Sequence, residues 1–138
     1  MNNAPPPGDV RICVLDDDES FRRLSQTILR SEGYECHLIE DLARAVDIVA
    51  SIKPDLIMMD LRLGQDIDGV QVLLSLKSAG SQSAAIPVLI CTASRDLLAA
   101  NRQVLDDLGC IVVEKPFNLD DLLAAITKCL PPSSHHES

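Results

Sequence analysis

The sequence predicts an α/β domain built on a doubly wound parallel sheet, and three observations carry that reading. Apolar runs without polar alternation recur along the chain: Ile12-Cys13-Val14-Leu15, Leu56-Ile57-Met58-Met59, Val88-Leu89-Ile90-Cys91 and Ile111-Val112-Val113. Such runs suit strands covered on both faces. Between them lie stretches whose apolar residues keep a helical spacing. Polar groups then follow the runs at the same, C-terminal, end, where open parallel sheets bind ligands. With 138 residues, 46% of them hydrophobic, the chain makes one domain with a real core.

Strands are expected over 11–15, 34–39, 55–59, 87–91 and 111–114. Phe21, Leu24 and Ile28 mark the first helix, and Leu42, Val46 and Val49 the second. Val70, Leu73 and Leu74 mark the third. Leu97, Val104 and Leu108 mark the fourth, and Leu119, Leu122, Leu123 and Ile126 the fifth. Gly33, Pro54 and Gly109 stand where the first, second and fourth helices should stop. Asp68 and Asn118 stand where the third and fifth should be capped. Five strand–helix units with right-handed crossovers imply the flavodoxin-like strand order 2-1-3-4-5. That order sets the first and third strands side by side. The domain body spans 10–130. Residues 1–9, with Pro5-Pro6-Pro7-Gly8, and residues 131–138 read as a flexible arm and tail. His135 and His136 fall in that tail and are read as incidental rather than metal-binding.

Composition excludes several functions. Aromatics are 2%, too few to stack on a flavin or on nucleobases. A formal net charge of −9 opposes binding to a phosphate backbone and favours a basic or metal-bearing partner. The five cysteines form no CxxC pair and read as buried, reduced thiols. No signal peptide and no apolar run of about 20 residues is visible, so a cytoplasmic protein without membrane contact is expected.

The strand ends carry the chemistry. Asp60 follows the third strand, Asp16-Asp17-Asp18 the first, Thr92 the fourth, and Lys115-Pro116 the end of the fifth. Adjacent acids repel one another without a cation, which points to a metal. Each residue also has a plainer reading. Asp18 and Glu19 suit the N-terminal dipole of the first helix, Lys115 could be a surface lysine with a buried stem, and Thr92 could be only a strand former.

Taken together and in order, these residues resemble the receiver domain of the two-component response regulators, over about 9–130. A stand-alone, single-domain receiver of the chemotaxis type is expected, unless the chain is a fragment of a longer one. The resemblance implies that Asp60 accepts a phosphoryl group from a histidine kinase or a histidine phosphotransfer protein. It implies Mg²⁺, with Mn²⁺ as substitute, held by Asp17, Asp60 and the backbone carbonyl of Arg62, and by Asp16 through water. Thr92 and Lys115 would contact the phosphoryl oxygens, the Lys115–Pro116 bond would be cis, and Arg62 and Ser94 would flank the path of the attacking water. Signalling would follow by partner binding or phosphorelay. The partner surface is expected after the fourth strand and on the fourth helix, with Leu98 and Leu105 on one face, although both could instead widen the buried stripe.

Two departures from the family pattern stand out. Gly64 takes the place of a common proline and Asp68-Gly69 arrive one place late, so the loop over 62–67 is longer and is expected to be more flexible. Val112 stands where an aromatic is usual, which puts the family's threonine–aromatic switch in doubt.

Three other readings compete. Asp16-Asp17-Asp18-Glu19-Ser20 contains the Asp-x-Asp-x-Ser pattern of haloacid-dehalogenase-type phosphatases, with Asp16 as nucleophile and Asp18 as acid/base, but the chain lacks their cap and longer core. A receiver-like module that only binds would be expected to lose the acidic pair, Thr92 or Lys115. A flavodoxin would meet repulsion between the acidic first turn and its flavin phosphate.

Overall fold

Each apolar run becomes a strand. The computed structural model describes residues 10–64, 66–78 and 80–130. The strands are β1 (Arg11–Leu15), β2 (Glu35–Ile39), β3 (Leu56–Met59), β4 (Val88–Thr92) and β5 (Ile111–Glu114). They pair in parallel in the order β2-β1-β3-β4-β5, as the sequence predicts. The helices are α1 (Glu19–Ser31), α2 (Ala45–Ile52) after a 3₁₀ turn (Leu42–Arg44), α3 (Gly69–Lys77), α4 (Arg95–Ala100), α5 (Arg102–Asp107) and α6 (Leu119–Cys129). The expected arm and tail, with His135 and His136, lie outside the described residues, as does Gln65 of the loop over 62–67.

Strand alternation sorts the side chains into two cores. Cys13, Leu15, Ile57, Met59 and Ile90 face one side and pack with Val49 of α2, Leu73 and Leu76 of α3, and Leu98 and Leu105. Ile12, Val14, Leu56, Met58, Leu89 and Cys91 face the other, against Leu29 of α1 and Leu122 and Ile126 of α6. Burial on both faces explains why the strands read as continuous apolar runs. Each fully buried aliphatic side chain contributes about 1.5–3 kcal/mol.

The helix boundaries follow their signals. Asp18 caps α1, its carboxylate accepting from the N–H groups of Ser20 and Phe21. Asp68, Ser94 and Asn118 cap α3, α4 and α6 through their side chains. Gly33 and Gly109, beyond the ends of α1 and α5, have φ of 87° and 72°, a left-handed conformation that costs glycine nothing.

The structure corrects several expectations. The single fourth helix is two, because Asn101 breaks it with φ −117° and ψ 12°. Its side-chain amide donates to the Leu97 carbonyl at 2.8 Å, which also accepts the Asn101 backbone N–H at 3.1 Å, so α4 closes on a doubly bonded carbonyl. Leu24, Leu74 and Leu119, which keep the helical apolar spacing, are exposed. Helix α1 instead turns Ser25 and Leu29 inward. Leu98 and Leu105 are buried in the core and offer no partner surface.

The five cysteines are free thiols, Cys13, Cys36 and Cys91 buried and Cys110 and Cys129 half-buried. Burial pushes the thiols of Cys13 and Cys91 up to about 12, which leaves them as packing groups rather than nucleophiles.

Candidate functional site

The register of the sheet brings the polar strand ends into contact. Asp60 donates its N–H to the Leu15 carbonyl at 3.2 Å, locking the end of β3 to the end of β1. Lys115 donates its N–H to the Thr92 carbonyl at 2.9 Å, extending the ladder between β4 and β5. The Lys115–Pro116 peptide is cis, as the resemblance implies.

Three charged side chains then meet in a nearly dry setting. Asp16 is 1% exposed and Asp60 8%. The Lys115 ammonium donates to Asp16 Oδ2 at 2.8 Å and to Asp60 Oδ2 at 3.1 Å. The other oxygens are held by backbone: Asp16 Oδ1 accepts from the Asp18 N–H at 3.0 Å, and Asp60 Oδ1 from the Arg62 N–H at 3.1 Å. The Arg22 guanidinium donates to the Asp16 carbonyl at 2.8 Å.

Electrostatics explain how this trio behaves. Burial pushes the Asp16 carboxyl above its ordinary value, and the Asp60 charge adds to that. The hydrogen bonds from Lys115 and Asp18 and the Lys115 charge oppose it without cancelling it. Burial pulls Lys115 down, but hydrogen bonds and charges from Asp16 and Asp60 together outweigh it, and the ammonium is held above its ordinary value. One ammonium facing two carboxylates leaves one negative charge uncompensated. A second cation is therefore what the donor set fits, and buried carboxylate oxygens suit a hard divalent ion. Among the described residues, no three acidic, thiol or imidazole side chains converge closely enough to hold a metal as they stand. Lys115 draws Asp16 and Asp60 together, whereas Asp17 is exposed.

The remaining candidates line the same edge. Thr92 is buried, and its Oγ1 accepts from the Ser94 N–H at 3.1 Å, leaving its own hydroxyl hydrogen free to donate. Ser94 Oγ accepts from the Leu97 N–H at 3.2 Å and lies 3.4 Å from the Arg62 guanidinium. Arg62 thus spans from the loop after β3 to the cap of α4. Asp18 is committed to the α1 cap, which agrees with its plainer reading.

The loop after β3 shows why its glycines are where they are. Gly64 has φ 128°, which a proline locked near −65° does not reach. Arg62 and Asp68 form an antiparallel bridge that folds the loop back on itself. Leu61 and Leu63 point into the core, anchoring it. A Cβ on Gly69 would lie 2.4 Å from the Leu61 carbonyl oxygen and 2.7 Å from that of Asp60. The sequence reading placed Asp68-Gly69 but missed this close approach; the only local signal was the Asp-Gly pair.

Phe21 is the other residue missed. Its ring centroid lies 3.9 Å from the Lys115 ammonium. Periodicity alone reads it as one more residue of the α1 apolar stripe.

Comparison with known proteins places the chain in a family. The response regulator receiver domain model matches residues 12–127, and the chain belongs to that family. It is 34% identical over 128 residues to the response regulator MprA of Mycobacterium sp. strain KMS, covering 93% of this chain and 54% of that protein. Its identity to the MprA of Mycolicibacterium vanbaalenii is 35% over 121 residues, 88% of this chain and 50% of the relative. The chain thus spans about half the length of the curated relatives it matches. Among solved structures, the apo receiver domain of nitrogen regulatory protein C superposes with TM-score 0.74 at 27% identity, covering 100% of each chain. The chemotaxis response regulator CheY4 of Vibrio cholerae shares the fold with TM-score 0.75 at 23% identity, over 88% of this chain and 98% of that one. Family membership sets aside the phosphatase and flavodoxin readings. No helix among the described residues is long and apolar enough to cross a membrane.

Proposed function

We propose that Asp60 accepts a phosphoryl group from the phosphohistidine of a sensor kinase or phosphotransfer protein, in the cytoplasm, and that the phosphorylated chain signals by binding a partner or by passing the group on. The observation that carries this reading is the shared Lys115 ammonium, bonded at once to Asp60 and Asp16 at the sheet edge. An acceptor carboxylate needs its repulsion with the incoming phosphoryl group cancelled.

In transfer, the P–N bond to the donor histidine breaks as Asp60 Oδ forms a P–O bond. Lys115 and the Thr92 hydroxyl donate to the phosphoryl oxygens that carry the charge. Receiver domains generally bind Mg²⁺. Here Asp17, Asp60 and the Arg62 carbonyl would hold it, with Asp16 acting through water, and Mn²⁺ would substitute. When bound, the ion would neutralise negative charge on the acceptor carboxylate and the phosphoryl group. The chain catalyses its own phosphorylation and dephosphorylation and no other reaction.

Val112 packs at the margin of one core with no ring to turn. The conformational response therefore runs through Thr92, Ser94 and the cap of α4, to which Arg62 is also tied. The partner surface is the exposed side of α4 and the loop before it. Arg62→Ala should speed the decay of the phosphorylated form severalfold, about 1 kcal/mol in barrier, because the side chain covers the approach of water. Decay of isolated phosphoprotein measures this, and identical rates would remove the role.

The reading as a whole is tested with acetyl phosphate. Wild type should form a phosphorylated species with Mg²⁺ or Mn²⁺ and none with the metal chelated. Asp60→Asn, nearly the same shape, should form none while keeping its circular dichroism. Persistent labelling of Asp60→Asn would exclude the proposal.

A further inference from the structure

The chain contains two phenylalanines and no tryptophan. Phe21 lies against the Lys115 ammonium, and Phe117 lies against Phe21. Phe21 enters from the first turn of α1 and Phe117 from the segment after β5, and their rings meet edge to face at 6.0 Å and 82°. Helical side chains lean toward the helix N-terminus, so a first-turn ring is directed back over the strand ends. The Asp18 cap fixes that turn by accepting from the Phe21 N–H at 3.4 Å. The acidic run thus supplies a buried carboxylate in Asp16 and, two residues on, the cap that aims Phe21.

An ammonium has three N–H donors. Two of them reach Asp16 and Asp60, and the Phe21 ring face lies 3.9 Å from the nitrogen. The Lys115 side chain is only 18% exposed, so water is a minor partner. A cation over an aromatic face is held most strongly where it is desolvated. Leucine or valine at position 21 would fill the space without attracting the charge.

We infer that Phe21 is a positioning residue, whose ring holds the Lys115 ammonium over the two carboxylates and keeps it aimed at the oxygens of an incoming phosphoryl group. Phe117 acts behind it, its edge contact fixing the ring plane. The inference rests on the proposed phosphorylation of Asp60 for its functional half, while the contact itself does not. A site with a looser Lys115 still binds the donor but stabilises the transferring group less.

The test combines NMR on the metal-free protein with phosphorylation kinetics on the loaded one. In wild type, the Lys115 ε-methylene protons should be shifted upfield by the ring. Phe21→Leu should remove that shift, and Phe21→Tyr should keep it. Phosphorylation by acetyl phosphate with saturating Mg²⁺ should slow about threefold to tenfold in Phe21→Leu and return to near wild type in Phe21→Tyr. Phe21→Met serves in its place if the leucine variant does not fold. Lys115 protons unmoved by loss of the ring would overturn the inference, and so would a wild-type rate in the folded leucine variant. If wild type itself takes no phosphoryl group, the reading of Asp60 fails instead, and the NMR shift still decides whether Phe21 positions Lys115.

Discussion

Lys115→Met should lower the stability of the metal-free protein by about 3 kcal/mol at neutral pH, because it leaves two buried carboxylates facing each other without a counter-charge. Asp16 and Asp60 are 1% and 8% exposed, and each loses a hydrogen bond from the same ammonium. Denaturant unfolding measures the loss. Mg²⁺ should restore more stability to the variant than it adds to wild type, since it replaces the missing positive charge. The pH dependence has a fixed sign. The Asp16 carboxyl already titrates above its ordinary value of 3.8, so its protonated form is favoured by folding. Its contribution is full below that value and lost as pH rises through the folded value. Removing Lys115 raises the folded value further, so the variant recovers stability on acidification over a wider range than wild type does. In wild type, Lys115 is held above 10.5, and its contribution disappears only as pH climbs beyond that through the folded value. A variant as stable as wild type at neutral pH without metal would show that the trio is not coupled.

Gly69→Ala should cost about 3 kcal/mol, at the upper end for one added methyl, because the three atoms nearest the methyl are all backbone. The added Cβ would stand 2.4 Å from the Leu61 oxygen, 2.6 Å from its carbon and 2.7 Å from the Asp60 oxygen. Nothing flexible can move aside. Either α3 retreats from the sheet or the loop after β3 shifts, and the second course displaces Asp60 itself. The variant should therefore be less stable and also slower to phosphorylate, even under conditions where it is fully folded. A folded variant with wild-type stability and rate would contradict the close approach.

The central strands β1, β3 and β4 were legible because burial on both faces leaves their interiors apolar, and each run stops where a polar group must reach solvent or a ligand; the edge strand β2 keeps His37 in its middle. Asp60, Asp16, Thr92 and Lys115 were legible for the same reason, as each is fixed by its distance from a run in its own stretch of chain. Other features depend on neighbours distant in sequence. Asn101 interrupts the fourth helix without disturbing the spacing of Leu97, Val104 and Leu108, so periodicity reads one helix where there are two. Leu98 and Leu105 fit either a buried stripe or a surface, and only the packing of α4 and α5 against the sheet decides for the core. Leu24, Leu74 and Leu119 satisfy the apolar spacing yet lie at the margins of their helices' buried faces, where the sheet does not cover them. Phe21 was counted in a stripe because a ring and an ammonium meet only after α1 and β5 have docked on one sheet. Asp17, by contrast, is placed by its sequence position next to Asp16, but its side chain is exposed while Lys115 holds the other two carboxylates.

Asp60, and not the acidic run, should take the phosphoryl group. The most direct measurement is to phosphorylate the protein from a phosphohistidine donor with Mg²⁺, digest it, and map the modified peptide by mass spectrometry. The phosphoryl group should lie on the peptide that contains Asp60, and the peptide with Asp16, Asp17 and Asp18 should be unmodified. Modification of Asp16 with Asp60 untouched would contradict the account.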